Sequence, residues 1–277
     1  MRLRIPALIR PSPQFIRHLT FLPHRHLSLP SLFTALFRYG MPPTTRKLPE
    51  CWGHRGASAA FPENTLASFE AAMQDGADGI ESDVHVSLDG VVVMFHDPSL
   101  NRTTNGTGLI KERNWYGEDG MEHLRTVKEP KQSIPTFAET VALLMKPENE
   151  HVMFNIDVKP GNDPHHLFTL MHTTLSAQPN WETKLAPRII LGLWHPTFLS
   201  HAKEILPNCK RSYIGGDTTV ARTYFWDNVD VFSMWFASLA TADGEAYVIC
   251  PLLSSSFQLA SLLRPLLQFP QRMPSSQ

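Results

Sequence analysis

Gly53-His54-Arg55-Gly56 and Phe95-His96-Asp97-Pro98 stand on either side of Glu81-Ser82-Asp83, and together they hold the residue types that suffice to cleave a phosphodiester. Imidazole, with an unperturbed pKa of about 6.5, can both take and give a proton around neutrality. Glu81 and Asp83 are two apart, so on a strand both point to one face, where like charges call for a cation between them. Carboxylate oxygens select a hard ion, Mg²⁺ or Ca²⁺, over zinc. Asp157, at the polar end of a later apolar run, is the natural third ligand. Arg55 offers a planar fork for phosphate oxygens, and Lys159 offers a point charge for the same anion. Glu63 and Asn64, after Pro62 at a helix start, and Asp97, beside His96, are candidates for supporting this set from behind. Trp194 and Trp235, with Phe236, fall at later strand ends and are candidates for an apolar wall beside a glyceryl or acyl group, with core packing as the alternative. The chain has 13 histidines; His24, His26, His151, His165 and His166 lack charged company of this kind and are expected to be exposed.

Positioning such groups needs strand ends, and from Leu48 onward short apolar runs alternate with helical patterns, the sign of strand–helix units around a parallel sheet. Cys51 to Gly56 reads as a first strand. Asn64 or Thr65 caps a helix with Leu66, Phe69 and Met73 on its apolar side, closed by Gly76. Ile80 to Ser87 alternates, with Glu81, Asp83 and His85 on one face. Leu88-Asp89-Gly90 is too short for a parallel crossover, so Val91 to Phe95 must return antiparallel and bring His96 back beside the carboxylates. Ser99 to Ser133 reads as a long polar loop, and a second helix runs from Pro135 to Met145. Val152 to Val158, Arg188 to Trp194, Arg211 to Ile214 and Val231 to Phe236 complete six parallel positions, and Tyr247 to Cys250 is a candidate seventh.

Composition bounds the class. The 277 residues are 18% charged and 42% apolar with a net charge of -1, which suits one globular domain and gives no bulk attraction to nucleic acid. No apolar run reaches the length of a membrane-spanning helix, so any membrane contact is expected to be peripheral. Cys51, Cys209 and Cys250 are too far apart for a zinc knuckle or a disulfide framework, and an intracellular compartment is expected. Residues 1–47 are basic and free of acidic side chains, a leader that reads either as mitochondrial targeting or as a disordered arm of a cytoplasmic protein. The catalytic domain is expected over 48–245, followed by a divergent apolar, Ser- and Pro-rich tail over 246–277.

His54-Arg55-Gly56, Pro62-Glu63-Asn64-Thr65, Glu81-x-Asp83, Asp89-Gly90, His96-Asp97 and Asp157-x-Lys159, in that order, resemble the signature of the glycerophosphodiester phosphodiesterase family. The wording around Trp115-Tyr116-Gly117, Asn155 to Lys159 and Leu193-Trp194-His195-Pro196 is most similar to the fungal phosphatidylglycerol-specific phospholipase C group. The resemblance implies a TIM barrel, one divalent cation held by Glu81, Asp83 and Asp157, and His54 and His96 as the acid/base pair. It also implies attack on phosphorus by the substrate's own glycerol hydroxyl, giving a cyclic phosphate that water opens. Many members carry glutamate where Asp157 stands, a longer reach. Members continue to a Trp-Thr-Val-Asn-like strand and a final Thr-Asp strand that are not found here, so the barrel is expected to be incomplete at its C-terminal side by one or two strands. The expected activity is phospholipase C-type cleavage of phosphatidylglycerol or of a related glycerophosphodiester; the alternative is a truncated, non-catalytic or unstable fragment that binds phosphate or lipid.

Overall fold

The computed structural model describes residues 49–235 and residue 238. The leader over 1–47, the tail over 246–277 and the candidate strand at Tyr247 to Cys250 lie outside the described residues. The elements present are strands β1 (Trp52–His54), β2 (Gly79–Val86), β3 (Val92–Met94), β4 (Met153–Val158), β5 (Ile189–Leu193), β6 (Lys210–Gly215) and β7 (Val231–Met234). The longer helices are α1 (Leu66–Gln74), α2 (Phe137–Leu144), α3 (Pro164–Ser176) and α5 (Thr197–Ile205), with a single turn, α4 (Trp181–Lys184), between the last two.

All seven strands join one sheet in the order β1-β2-β4-β5-β6-β7, each neighbouring pair parallel, with β3 antiparallel beside β2. This is the strand-then-helix progression of a barrel wall. Among the described residues β1 and β7 are each paired on one side only. Phe154 and Ile156 of β4 are fully buried with Phe168 and Leu175 of α3 in the main core, and Asn155 and Asp157 take the opposite face. Burying a phenylalanine such as Phe154 contributes roughly 1.5–3 kcal/mol relative to leaving it exposed.

Local chemistry sets the helix starts. Thr65, not Asn64, caps α1, exchanging hydrogen bonds with Ser68 in a capping box. Asn64 adopts a left-handed φ of 55°, a conformation its short amide side chain tolerates, and this frees that side chain to turn toward the sheet. α2 begins with a second capping box, Thr136 with Glu139. α3 and α5 have no counterpart among the sequence expectations. In α3, Asp163 caps the His166 N–H, Pro164 occupies the first turn, and Leu167, Phe168, Met171 and Leu175 form the buried stripe. The first strand is shorter than expected because the chain turns at Arg55 (φ 58°) and Gly56 (φ 74°). A Cβ at Gly56 would fall 2.5 Å from Ser68, so only glycine lets this loop press onto α1.

The segment over 99–133 is not the purely polar loop that its composition suggests. Leu100, Ile110, Trp115, Met121 and Ile134 bury against Val93 and Phe95 in a second, separate core. The hairpin turn anchors it, since the Asp89 carboxylate accepts the N–H groups of Trp115 (2.8 Å) and Tyr116 (3.1 Å). Lys128 anchors it at another point, donating to the carbonyls of Ser58 (2.8 Å), Ala59 (2.9 Å) and Phe61 (3.0 Å) in the loop that follows His54-Arg55-Gly56. Replacing Lys128 by Met should therefore speed amide hydrogen exchange of Ser58 to Phe61 by about tenfold with little change in global melting. Unchanged exchange across that loop would mean that the ammonium does not hold it.

Candidate active site

β1 and β3 lie end to end along one edge of β2. Gly79 to Glu81 pair with both β1 and β4, and Val84 pairs with both Met94 of β3 and Val158 of β4, so β1 and β3 share the edge opposite β4. His54 closes β1 opposite Glu81, while the Phe95 N–H just past β3 donates to the Asp83 carbonyl at 2.9 Å. The two histidines therefore arrive from opposite directions at the same short stretch of β2.

Glu81 and Asp83 share a face of β2, and Asp157 of β4 sits directly across from Asp83. One carboxylate oxygen from each lies within 4.8 Å of the others. Oxygens bound to a hard dication at 2.0–2.6 Å span such distances, so this donor set fits Mg²⁺ or Ca²⁺. Lys159 Nζ lies 2.7 Å from Asp83 Oδ1 and 2.7 Å from Asp157 Oδ2. The Trp194 indole N–H donates to Asp157 Oδ1 at 2.5 Å, and the Asn64 amide donates to Asp83 Oδ2 at 2.9 Å while its own oxygen accepts from Ser82 Oγ.

Around this centre runs a chain of alternating charges. Arg55 donates its main-chain N–H to Glu81 Oε2 (3.1 Å) and Nη1 to Glu63 Oε1 (3.1 Å). Its Nε is buried without a hydrogen-bond partner, 3.7 Å from Asp83 Oδ2. Arg102, from the inserted segment, grips Asp97 through Nε (2.6 Å) and Glu63 through Nη2 (2.6 Å). Asp97 Oδ1 faces His96 Nδ1 at 2.7 Å. His54 stands at the mouth, its side chain 72% exposed and Nε2 3.7 Å from Glu81 Oε2.

These surroundings set the protonation states. Burial, then the Asp83 charge, pushes Glu81 up to about 8. Burial works to raise Asp83 too, but the Lys159 ammonium and the Asn64 amide hold it below the ordinary range. Asp157 is raised, burial outweighing Lys159. Lys159 is raised by Asp83 and Asp157 against the cost of its own burial. Partial burial and then the Arg55 charge lower His54. Arg102 is the main reason Asp97 lies at about 2, so that carboxylate stays ionised above about pH 4 and its pairing is lost only as pH falls through 2.

The structure thus brings together His54, His96, Arg55, Glu81, Asp83, Asp157, Lys159, Glu63, Asn64, Asp97 and Trp194. Trp235, the residue just past β7, is 70% exposed and lies against Gly216, and Phe236 falls outside the described residues. A cavity of about 400 Å³ opens beside Trp194, lined also by His195, Pro196, Tyr213, Val220 and Tyr224. His151, His165 and His166 are exposed as expected. Arg102 was not singled out by the sequence, although it falls in Asn-Arg-Thr-Thr-Asn-Gly, five residues past Asp97. His85 was legible only as the third residue of the Glu81, Asp83 alternation.

Solved structures with this barrel architecture include the glycerophosphodiester phosphodiesterase of Agrobacterium tumefaciens str. C58 (TM-score 0.56, 21% identity, covering 74% of this chain and 84% of that one). A second is an Oleispira antarctica phosphodiesterase, solved with the product sn-glycerol-3-phosphate (TM-score 0.57, 24% identity, 72% of this chain and 82% of that one). At those identities the likeness establishes the fold, a barrel of the phosphodiesterase type. Residues 54–249 match the model of the Glycerophosphoryl diester phosphodiesterase family, and the chain belongs to that family. Curated relatives include glycerophosphodiester phosphodiesterases of Caldanaerobacter subterraneus subsp. tengcongensis, 37% identical over 116 residues (39% of this chain, 44% of that protein), and of Bacillus altitudinis, 35% identical over 114 residues (40% and 46%). The matched stretch spans less than half the length of these two relatives.

The raised Glu81 gives a stability test. A carboxyl whose folded pKa is about 8 favours the fold in its neutral form, so that stabilisation is present below about pH 4.5 and is lost as pH rises to about 8. Glu81→Gln should raise the melting temperature of the metal-free chain at pH 8 by about 3 °C, have little effect at pH 5, and reduce the further rise on adding Mg²⁺ or Ca²⁺. An unchanged or lower melting temperature at pH 8 would contradict this electrostatic account.

Proposed function

We propose that this chain is a divalent-metal-dependent hydrolase of glycerol-based phosphodiesters, and that its preferred reaction is phospholipase C-type cleavage of phosphatidylglycerol. The observation that carries the reading is the arrival of His54 and His96 at one stretch of β2 beside three carboxylates whose oxygens lie within 4.8 Å. Glu81, Asp83 and Asp157 would hold Mg²⁺ or Ca²⁺, which supplies positive charge for the phosphate oxygens. Arg55, braced by Glu63, turns its guanidinium toward the same place, and Lys159 adds a second positive charge there.

His54, whose lowered pKa favours the neutral ring, suits removal of the proton from the attacking glycerol hydroxyl. His96, whose Nδ1 faces Asp97, suits protonation of the departing alkoxide. Water then opens the cyclic phosphate with the two roles reversed. The glycerophosphodiester phosphodiesterase names of the relatives, and sn-glycerol-3-phosphate in the Oleispira antarctica structure, support the glycerol phosphate half of the substrate. The finer preference is supported by the aromatic cavity beside Trp194, wide enough for an apolar alcohol, and by the resemblance around Leu193-Trp194-His195-Pro196. In this reading the chain meets its lipid at the bilayer surface; no described helix is long and apolar enough to cross a membrane.

Purified chain mixed with phosphatidylglycerol vesicles in Mg²⁺ or Ca²⁺ should release diacylglycerol, and chelator should stop it. His54→Ala and His96→Ala should each lower turnover about 10²- to 10⁴-fold while keeping cooperative melting. Near wild-type rates in either variant would overturn the acid/base assignment. Hydrolysis of soluble glycerophosphodiesters without diacylglycerol release would overturn the lipid preference alone. No turnover together with no cooperative melting would favour the non-catalytic fragment.

A further inference from the structure

His85 takes no part in the chemistry above, yet it is buried on the face of β2 that carries Glu81 and Asp83, one alternation further along the strand. Its Nε2 lies 3.1 Å from the main-chain oxygen of His96. A carbonyl can only accept, so Nε2 carries the proton and donates. The carbonyl it serves lies just beyond the ladder: the β2–β3 pairing joins Val84 with Met94, the Phe95 N–H still reaches Asp83, and at His96 the chain leaves the sheet. Pro98, two residues on, has no N–H with which to extend the ladder.

We infer that His85 is a positioning residue for His96, fixing the peptide that carries the acid/base imidazole while Asp97 orients the ring itself. The inference rests on the phosphodiesterase reading for its kinetic test. His96 is thereby held at two points, its carbonyl by His85 and its Nδ1 by Asp97, and the remaining ring nitrogen, Nε2, is left for the substrate. With the carbonyl released, the first peptide beyond the sheet can rotate, and an error of about 1 Å at a reacting group can cost on the order of 10²-fold in rate.

His85→Leu removes the donor and keeps the apolar bulk, whereas His85→Gln keeps an N–H that can reach the same oxygen. His85→Leu should lower kcat by about 10- to 100-fold with KM within about twofold, and His85→Gln should recover kcat to within about threefold of wild type. The rise in melting temperature on adding Mg²⁺ should be the same in all three proteins, separating loss of His96 geometry from loss of the carboxylate centre. A His85→Leu protein with wild-type kcat, or a stable His85→Gln protein as slow as His85→Leu, would overturn the assignment. Should the wild-type chain cleave no phosphodiester, the functional reading falls, and the positioning role is then read from ¹⁵N-histidine spectra. In that case the His96 ring signals should shift or broaden in His85→Leu and stay in place in His85→Gln; unchanged signals in His85→Leu would overturn it.

Discussion

Crowding of negative charge at Glu81, Asp83 and Asp157 is the constraint to which the rest of the molecule answers. Two unit charges about 4 Å apart repel by on the order of 4 kcal/mol at the effective dielectric of a protein edge. Three carboxylates at such spacing must lose a charge, gain a cation or move apart. Glu81 loses its charge near neutrality, and Lys159 provides the cation for the other two. The donors of Asn64, Trp194 and the Arg55 main chain prevent the third escape by tying each carboxylate to a different element. A barrel wall with both faces covered is well suited to this, because its buried strands cannot shift to relieve the repulsion.

From that centre the charge alternates outward to His96, one of the two acid/base candidates. Arg55 meets Glu63, Glu63 meets Arg102, Arg102 meets Asp97, and Asp97 meets His96. Arg55, the proposed anion-binding group, and His96, a proposed acid/base group, are thus joined through a single arginine contributed by the inserted segment. That segment has a core of its own, so Arg102 is delivered from a packed platform, and Lys128 ties the platform to the loop behind His54. Exposed ion pairs contribute little singly, whereas a two-sided, partly bidentate arrangement such as that of Arg102 resists rotation of the carboxylates it holds.

Much of the centre was legible because it depends on local periods. Spacing of two put Glu81 and Asp83 on one face, and a three-residue Asp-Gly connection forced the return that brings His96 alongside. Asp157 and Lys159 followed from the same alternation in β4 and just past it. What stayed hidden depends on contacts between distant segments. Capping rules admit both residues and rank Asn above Thr, and only the structure shows Thr65 on the helix and Asn64 on Asp83. Arg102 sits in a stretch whose composition advertises a loop, while its apolar neighbours, each separated by polar residues, collect into a core without any regular period. The cavity beside Trp194 was not foreseen either, because its wall is assembled from His195 and Pro196 after β5, Tyr213 of β6, and Val220 and Tyr224 after β6.

The end-to-end docking of β1 and β3 on β2 also bears on the order in which the protein is made. Every ionic group of the centre lies between His54 and Lys159, on β1 to β4 or on the loops that join and follow them, and these four strands contact one another without β5, β6 or β7. During synthesis from the N-terminus, this ribbon can assemble its charged cluster while later strands are still emerging from the ribosome. Trp194 on the far side of β5 then arrives as a latch, closing a hydrogen bond onto a carboxylate already in place. The three carboxylates proposed to hold a divalent ion are therefore all in the chain before β5 begins.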